Sequence, residues 1–266
     1  MATTTALARR VGDSVEARAS ARISILATGD GWLAVSKPAG LLVHPTRPSL
    51  VVTLQGLLTQ WLACDIASGG QVSLIHRLDR ETSGVLLVAS RARAARHFSL
   101  QLKGGVMAKE YRVVVFGWPE WETQEIEAPL LREGSRGPFR IWLKQAVHPE
   151  GAPAGTEFAV LRRFERNGAQ FSLLAARPRT GRLHQIRVHA AALGHPLVGD
   201  KIYGADETCY LRFIESGWTP ELERTLLLPR HALHAHRLGF TDLDGQRVDV
   251  VAPPPADLEA FAGSWP

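Results

Sequence analysis

The sequence predicts an α+β fold whose sheet is largely antiparallel, with helices set between hairpin-like strands. Two observations carry this. Short, β-branched apolar runs recur between turn residues, at 32–35, 85–89, 109–116, 156–164 and 170–176. The last two are joined by Asn167-Gly168, a strong two-residue hairpin signal. Between such runs, apolar residues fall at helical spacing over 50–64, 91–103, 180–193 and 255–263.

Residues 1–21 are rich in Ala, Thr and Arg without periodicity, so a loosely attached N-terminal tail is expected there, followed by one folded domain over 22–266. Strand character begins at 23–25, turns at 28–31 and resumes at 32–35; Lys37-Pro38 and Gly40 then lead to a second apolar run at 41–43. Leu54, Leu57, Leu58, Trp61 and Leu62 form the stripe of a buried helix face. Runs at 72–75 and 85–89 bracket the polar stretch HRLDRETSG (76–84). Ser90 is a credible cap and Gly104-Gly105 a credible stop for the helix 91–103. KEYRVVVF (109–116) predicts a strand, and 120–155 a β-rich excursion without clear elements. Thr180 is expected to cap a helix reaching Leu193, with Leu183, Ile186, Ala190 and Leu193 inward and Gly194 ending it. HPLVGDKIYG (195–204) predicts a loop, 205–229 an insertion, 231–240 and 247–251 strands, and 255–263 a last helix.

Composition narrows the function classes. The chain has 266 residues, 45% hydrophobic and 21% charged, with a formal charge of +5, which favours an anionic partner. Arginine concentrates in SRARAAR (90–96) and RPRTGRLHQIR (177–187). Two cysteines, far apart, suggest neither a disulfide framework nor a zinc knuckle. No apolar run approaches the roughly 20 residues that span a bilayer, and no apolar signal core opens the chain, so a cytoplasmic protein is expected. GxxxxGK and post-strand GxGxxG loops are absent, which argues against a nucleotide cofactor. Ten histidines fall at mixed helical and strand parity, without a clustered ligand set, so no metal is expected.

What remains is one acid, one ring and one arginine. Asp79 lies between Arg77 and Arg80 at the mouth of two strands: either a reactive carboxylate held ionised or a structural acid capping a turn. Tyr111 stands beside Lys109 on a strand, where a half-buried structural ring is the plainer reading. Arg187 follows the inward Ile186, so it must pair or snorkel; Asp79 is an obvious carboxylate for it, and a purely structural bridge is the alternative.

These residues resemble the RluA-type RNA pseudouridine synthases. SKPAGLLVHP (36–45) looks like the first element of that family, HRLDRETSG is similar to its HRLDxxTSG, and KEY to its KxY strand. TGRLHQIRVHAAALGHPLVGDKIYG (180–204) and ALHAHRLGF (232–240) complete the order. Departures are Ser36 where relatives often carry Asn, the weakly matched 120–155 stretch and the insertion before Arg230. The resemblance implies a pseudouridine synthase catalytic fold: a bifurcated mixed sheet, largely antiparallel, in two lobes around a central basic cleft, with no separate N-terminal RNA-binding domain. It implies a monomeric isomerase acting on rRNA or tRNA without cofactor. Asp79 would be the nucleophile, Tyr111 the ring stacked on a flipped-out uracil, and Arg187 the partner that keeps Asp79 ionised. Arg77 would fill the gap left by the flipped nucleotide, and His76, Lys109, Arg182 and Gln185 would support the site or touch RNA. An RNA-binding module that kept the fold and lost activity is the rival expectation.

Overall fold

The computed structural model describes residues 23–45, 51–135, 137, 140–204 and 206–265; the expected tail at 1–21 lies outside them. In chain order the strands are β1 (Ser24–Gly29), β2 (Trp32–Lys37), β3 (Ser73–Leu74), β4 (Ser83–Ala89), β5 (Ala108–Phe116), β6 (Thr123–Glu127), β7 (Leu130–Arg132), β8 (Gln145–Val147), β9 (Gly155–Arg166), β10 (Ala169–Pro178), β11 (Leu233–Thr241) and β12 (Arg247–Val251). The described chain divides into two compact units: residues up to Ala108 with Ala235–Pro253, and Lys109–His234 with the C-terminal residues from Pro254. Every strand pair whose register is given is antiparallel, and helices flank the strands, as the α+β prediction requires.

In the first unit β1, β2, β4 and β11 lie side by side, with β3 added to β4 and β12 to β11. All seven residues of β4 are buried, which is why SGVLLVA reads as a continuous rather than alternating apolar run. Gly84 (φ +118°) stands where no side chain fits: a Cβ there would lie 2.2 Å from the Ala235 carbonyl oxygen. The helix Ala92–Lys103 turns Ala94 and Phe98 inward, and Phe98 meets Trp32 and Phe240 edge to face at 6.4 and 5.3 Å. Its cap is Arg91, one residue past the expected Ser90, with no side-chain capping bond. The helix expected over 50–64 is shorter. It runs Leu54–Trp61, capped by Thr53, and breaks at Leu62 before a one-turn segment, Ala63–Ala67. Leu54, Leu57 and Leu58 are buried while Trp61 is exposed and Leu62 half-buried, so three of the five stripe residues face the core. The 41–43 run forms no strand; Leu42 makes a single bridge to Thr53.

The second unit orders its strands β5-β10-β9-β6. Asn167 (φ +51°) and Gly168 (φ +76°) close the β9–β10 hairpin with the paired positive φ of a type I′ turn. Both faces are covered. Val113, Val115, Phe158, Leu174 and Ile186 pack on one, and Val114, Phe171, Leu173, Leu258 and Phe261 on the other, where the helix Ala256–Ala262 lies. The illegible 120–155 stretch holds β6, the short pair β7–β8 and a 3₁₀ turn. The expected insertion folds into the helices Thr208–Ser216 and Pro220–Leu226, which share Cys209, Leu222 and Leu226 as a small core.

Candidate active site

In the first unit the chain leaves β3, turns through 75–82 and enters β4. Burial of Ile75 and Leu78 pins this loop, leaving Arg77 and Arg80 exposed and His76 and Asp79 half-buried. The backbone on either side of Asp79 is tied down. Thr82 N donates to Asp79 O at 3.1 Å and Gly40 N to Arg80 O at 2.8 Å. Arg80 Nε returns a bond to Gly40 O at 3.1 Å. Lys37, fully buried, donates through Nζ to the carbonyls of Pro38, Leu41 and Arg80 at 2.9, 3.0 and 3.1 Å. His76 Nε2 accepts from Leu87 N at 3.2 Å, which places the ring proton on Nδ1. Asp79 is thus a partly exposed carboxylate on a rigid mount, not an acid sealed in the core.

In the second unit Lys109 and Tyr111 share one face of β5, with Glu110 and Arg112 on the other. Lys109 Nζ donates to Thr180 O at 3.0 Å, and burial lowers its pKa. The Tyr111 ring packs against the cluster of Val113, Phe158 and Ile186. Thr180 does not cap a helix: the helix is Gln185–Ala192, with His184 at its start in the left-handed region, φ +56°. The delay has a polar cause. Thr180 Oγ1 and Arg182 N both donate to Gln185 Oε1, at 2.6 and 3.0 Å. Gln185 Nε2 in turn donates to Gly155 O and Thr156 Oγ1, at 2.8 and 3.0 Å. Gln185 is therefore a buried brace for the 180–184 loop, while the exposed Arg182 reaches Pro153 O at 3.1 Å.

Of the two courses open to Arg187, it pairs rather than snorkels: it is buried, and its carboxylate lies within its own unit, one the sequence reading did not anticipate. Its Nε and Nη2 meet Asp200 Oδ2 and Oδ1 at 2.6 and 2.8 Å, a bidentate pair. Asp200 Oδ1 also accepts from Ile202 N and Tyr203 N at 2.9 and 3.0 Å. The Tyr203 ring lies 5.0 Å from the guanidinium. Its hydroxyl accepts from Gln145 N and lies within hydrogen-bond distance of His184 Nδ1, both at 2.8 Å. Burial of Asp200 opposes ionisation, but the charge and hydrogen bonds of Arg187 win and hold its carboxyl far below the usual range. The one sequence signal for Asp200 is that it is the only acid in the HPLVGDKIYG loop.

The arginines of the 177–187 stretch are mostly matched by acids. Arg177 pairs with Glu110 and Glu157 at 2.8 and 2.6 Å, and Arg179 with Glu125 and Glu127 at 2.5 and 2.6 Å. Among the described residues no group of three His, Cys, Asp or Glu is placed to hold a metal ion, and no helix is long and apolar enough to cross a membrane.

Residues 31–192 match the family model described as RNA pseudouridylate synthase. The chain belongs to that family. RNA pseudouridylate synthases isomerise uridine in RNA to pseudouridine and need no cofactor. An "uncharacterized RNA pseudouridine synthase" of Chloroflexus aurantiacus is 38% identical over 231 residues, 84% of this chain and 63% of that protein. A "ribosomal large subunit pseudouridine synthase D" of Zymomonas mobilis is 31% identical over 241 residues, 89% of this chain and 71% of the relative. The solved structure of human RNA pseudouridylate synthase domain containing 4 superposes with a TM-score of 0.70 at 21% identity, covering 94% of this chain and 95% of that one. Domain containing 1 gives 0.67 at 27%, covering 91% and 88%. The RNA pseudouridylate synthase match encloses His76, Arg77, Asp79, Lys109, Tyr111, Arg182, Gln185 and Arg187, along with Lys37; Asp200 and Tyr203 fall beyond its end.

Proposed function

We propose that this protein isomerises uridine in ribosomal RNA to pseudouridine, with Asp79 as nucleophile. The observation that carries the reading is a half-buried aspartate on a loop fastened by Lys37, Gly40 and His76, inside the segment that matches the family. Ribosomal RNA is favoured because relatives are named for it; the tRNA alternative has no such support. The reaction breaks the bond from ribose C1′ to ring N1, turns the base and joins C1′ to ring C5; C5 gives up its proton and the freed N1 takes one up. No electrons are gained or lost overall. Uracil leaves as a stabilised anion, so one carboxylate suffices where a glycosidase uses two. Attack at the ribose, passage through a glycal and addition to the ring all remain compatible with a single Asp.

Tyr111 is proposed as the wall on which the freed base stacks while it turns, since stacking holds a ring without fixing its rotation. Arg187 is proposed as the guanidinium that keeps Asp79 ionised. Arg77, exposed beside Asp79, is proposed to fill the stack when the nucleotide is extruded, a step costing a few kcal/mol. Lys109 and Arg182 would meet backbone phosphates, His76 would brace the loop of Asp79 and Gln185 that of Arg182, and the protein would work as a cytoplasmic monomer. The test is tritium release from ribosomal RNA transcripts carrying label at uridine C5. Wild type releases label and Asp79→Asn, still folded, releases none; release by Asp79→Asn would end the nucleophile assignment.

A further inference from the structure

Two arginine-rich stretches mark this sequence, and the structure treats them differently. The arginines at 177 and 179 are each clamped by two glutamates. On the helix Ala92–Lys103, by contrast, Arg93, Arg96 and Lys103 make no ion pair or hydrogen bond among the described residues, while the neighbouring Arg91 reaches Asp65 at 3.7 Å. Arg93, Arg96, Leu100 and Lys103 are exposed at i, i+3, i+7 and i+10, a single stripe about 15 Å long. The opposite side of the helix is packed through Ala94 and Phe98.

The stripe is also rigidly mounted. Gln101 Nε2 donates to Thr241 O at 2.6 Å, and Thr241 N donates to Gln101 Oε1 at 2.9 Å. His97 Nε2 lies 2.9 Å from the same carbonyl. Together they lock the helix to the β11–β12 hairpin. Between helix and hairpin lies an open groove of about 520 Å³ lined by Ala92, Arg93, Arg96, His97, Leu100 and Leu243. On the hairpin, Asp242 directs Oδ1 at the amides of Asp244 and Gln246, at 3.0 and 2.8 Å, rather than at the arginines.

We propose that this groove is a docking site for the phosphodiester backbone of the RNA substrate, additional to the residues that handle the target base. Uncommitted guanidinium groups engage a phosphate without first breaking an internal pair, and their planar forks match its oxygens. Leu100 and Leu243 offer an apolar floor to the sugar. Charge decides the class of partner, since an exposed cationic stripe in a chain of +5 selects polyanions. The proposal rests on the reading that the family's RNA chemistry is retained.

The experiment measures binding of the full chain to a labelled transcript of large-subunit ribosomal RNA across salt concentrations, with tritium release on the same transcript. Two lost phosphate contacts should lower the slope of log affinity against log salt by about 1.4–1.8. Arg93→Gln/Arg96→Gln is expected to show that drop, with the activity loss falling on KM. Arg224→Gln, an exposed arginine already paired with Glu221, removes one charge elsewhere and should move the slope by less than about 0.3. An unchanged slope in the double variant overturns the docking site, as does an equal shift per charge in the control. If wild type releases no tritium while the double variant still shows the drop in slope, the catalytic reading fails and the groove stands. If it releases tritium and the double variant binds like wild type, the reverse holds.

Discussion

Asp200→Asn is the sharpest probe of how the second unit is held together. The substitution preserves shape but removes a charge that is fully buried and bonded to four donors: two guanidinium nitrogens and two backbone amides. An asparagine can present one oxygen, but its amide group then faces a guanidinium N–H, donor against donor. Breaking a buried pair by removing one partner costs on the order of 3–5 kcal/mol, because the surviving charge is left uncompensated. That is a large part of the roughly 5–15 kcal/mol that stabilises a domain. In urea, with a slope near 3 kcal/mol per molar, the midpoint of the transition that reports the second unit should fall by about 1–1.7 M. Circular dichroism at pH 7 reads it directly. A fall below about 0.3 M would refute the reasoning, since about 1 kcal/mol is what an exposed ion pair contributes. Arg187→Met/Asp200→Leu supplies the internal control: with both charges gone it should lose less than either single change. If catalysis uses Arg187 as proposed, Asp200→Asn also lowers kcat at temperatures where it remains folded.

Acid should weaken the second unit in a defined order. Burial favours the neutral ring of His189, so its stabilising contribution fades below pH 6.5. Glu110 and Asp200 resist protonation because arginines outweigh their burial, so their contributions are complete above 4.5 and 3.8 and are lost as pH falls below those values. Thermal melts from pH 7 to pH 3 check this, and a melting temperature that rises on acidification contradicts it. Tyr111→Phe should keep most tritium-releasing activity, because the ring remains, and Tyr111→Ala should lose it; equal losses would remove the stacking role. Gly84→Ala should destabilise the first unit by about 2 kcal/mol or more, since φ +118° and a Cβ at 2.2 Å from Ala235 O are both unfavourable. A melt within a degree of wild type would mean the β4–β11 approach relaxes freely.

How far each element could be read from sequence follows from how local its causes are. The β9–β10 hairpin was legible because Asn167-Gly168 dictates its own turn, and β4 and β5 because their apolar runs need no partner to identify them. The helix expected from a Thr180 cap begins four residues late because the Thr180 hydroxyl is engaged by Gln185, which is itself held by Gly155 and Thr156 some 30 residues earlier. The stripe at 54–62 overstated its helix: Leu62 ends it and at the same time opens a second, one-turn segment. β7 and β8, three residues each, are too short to show a period. Buried polar groups were the hardest to find. Nothing beside Lys37 predicts that its ammonium binds the Arg80 carbonyl 43 residues on, and nothing beside Arg187 selects Asp200. Charge clusters mislead for the same reason. A run of arginines states how much positive charge there is, but the glutamates on β5, β6 and β9 decide how much of it a polyanion can feel. By that measure it is SRARAAR, the less conspicuous of the two stretches, whose Arg93 and Arg96 leave their charge unmatched by acids among the described residues.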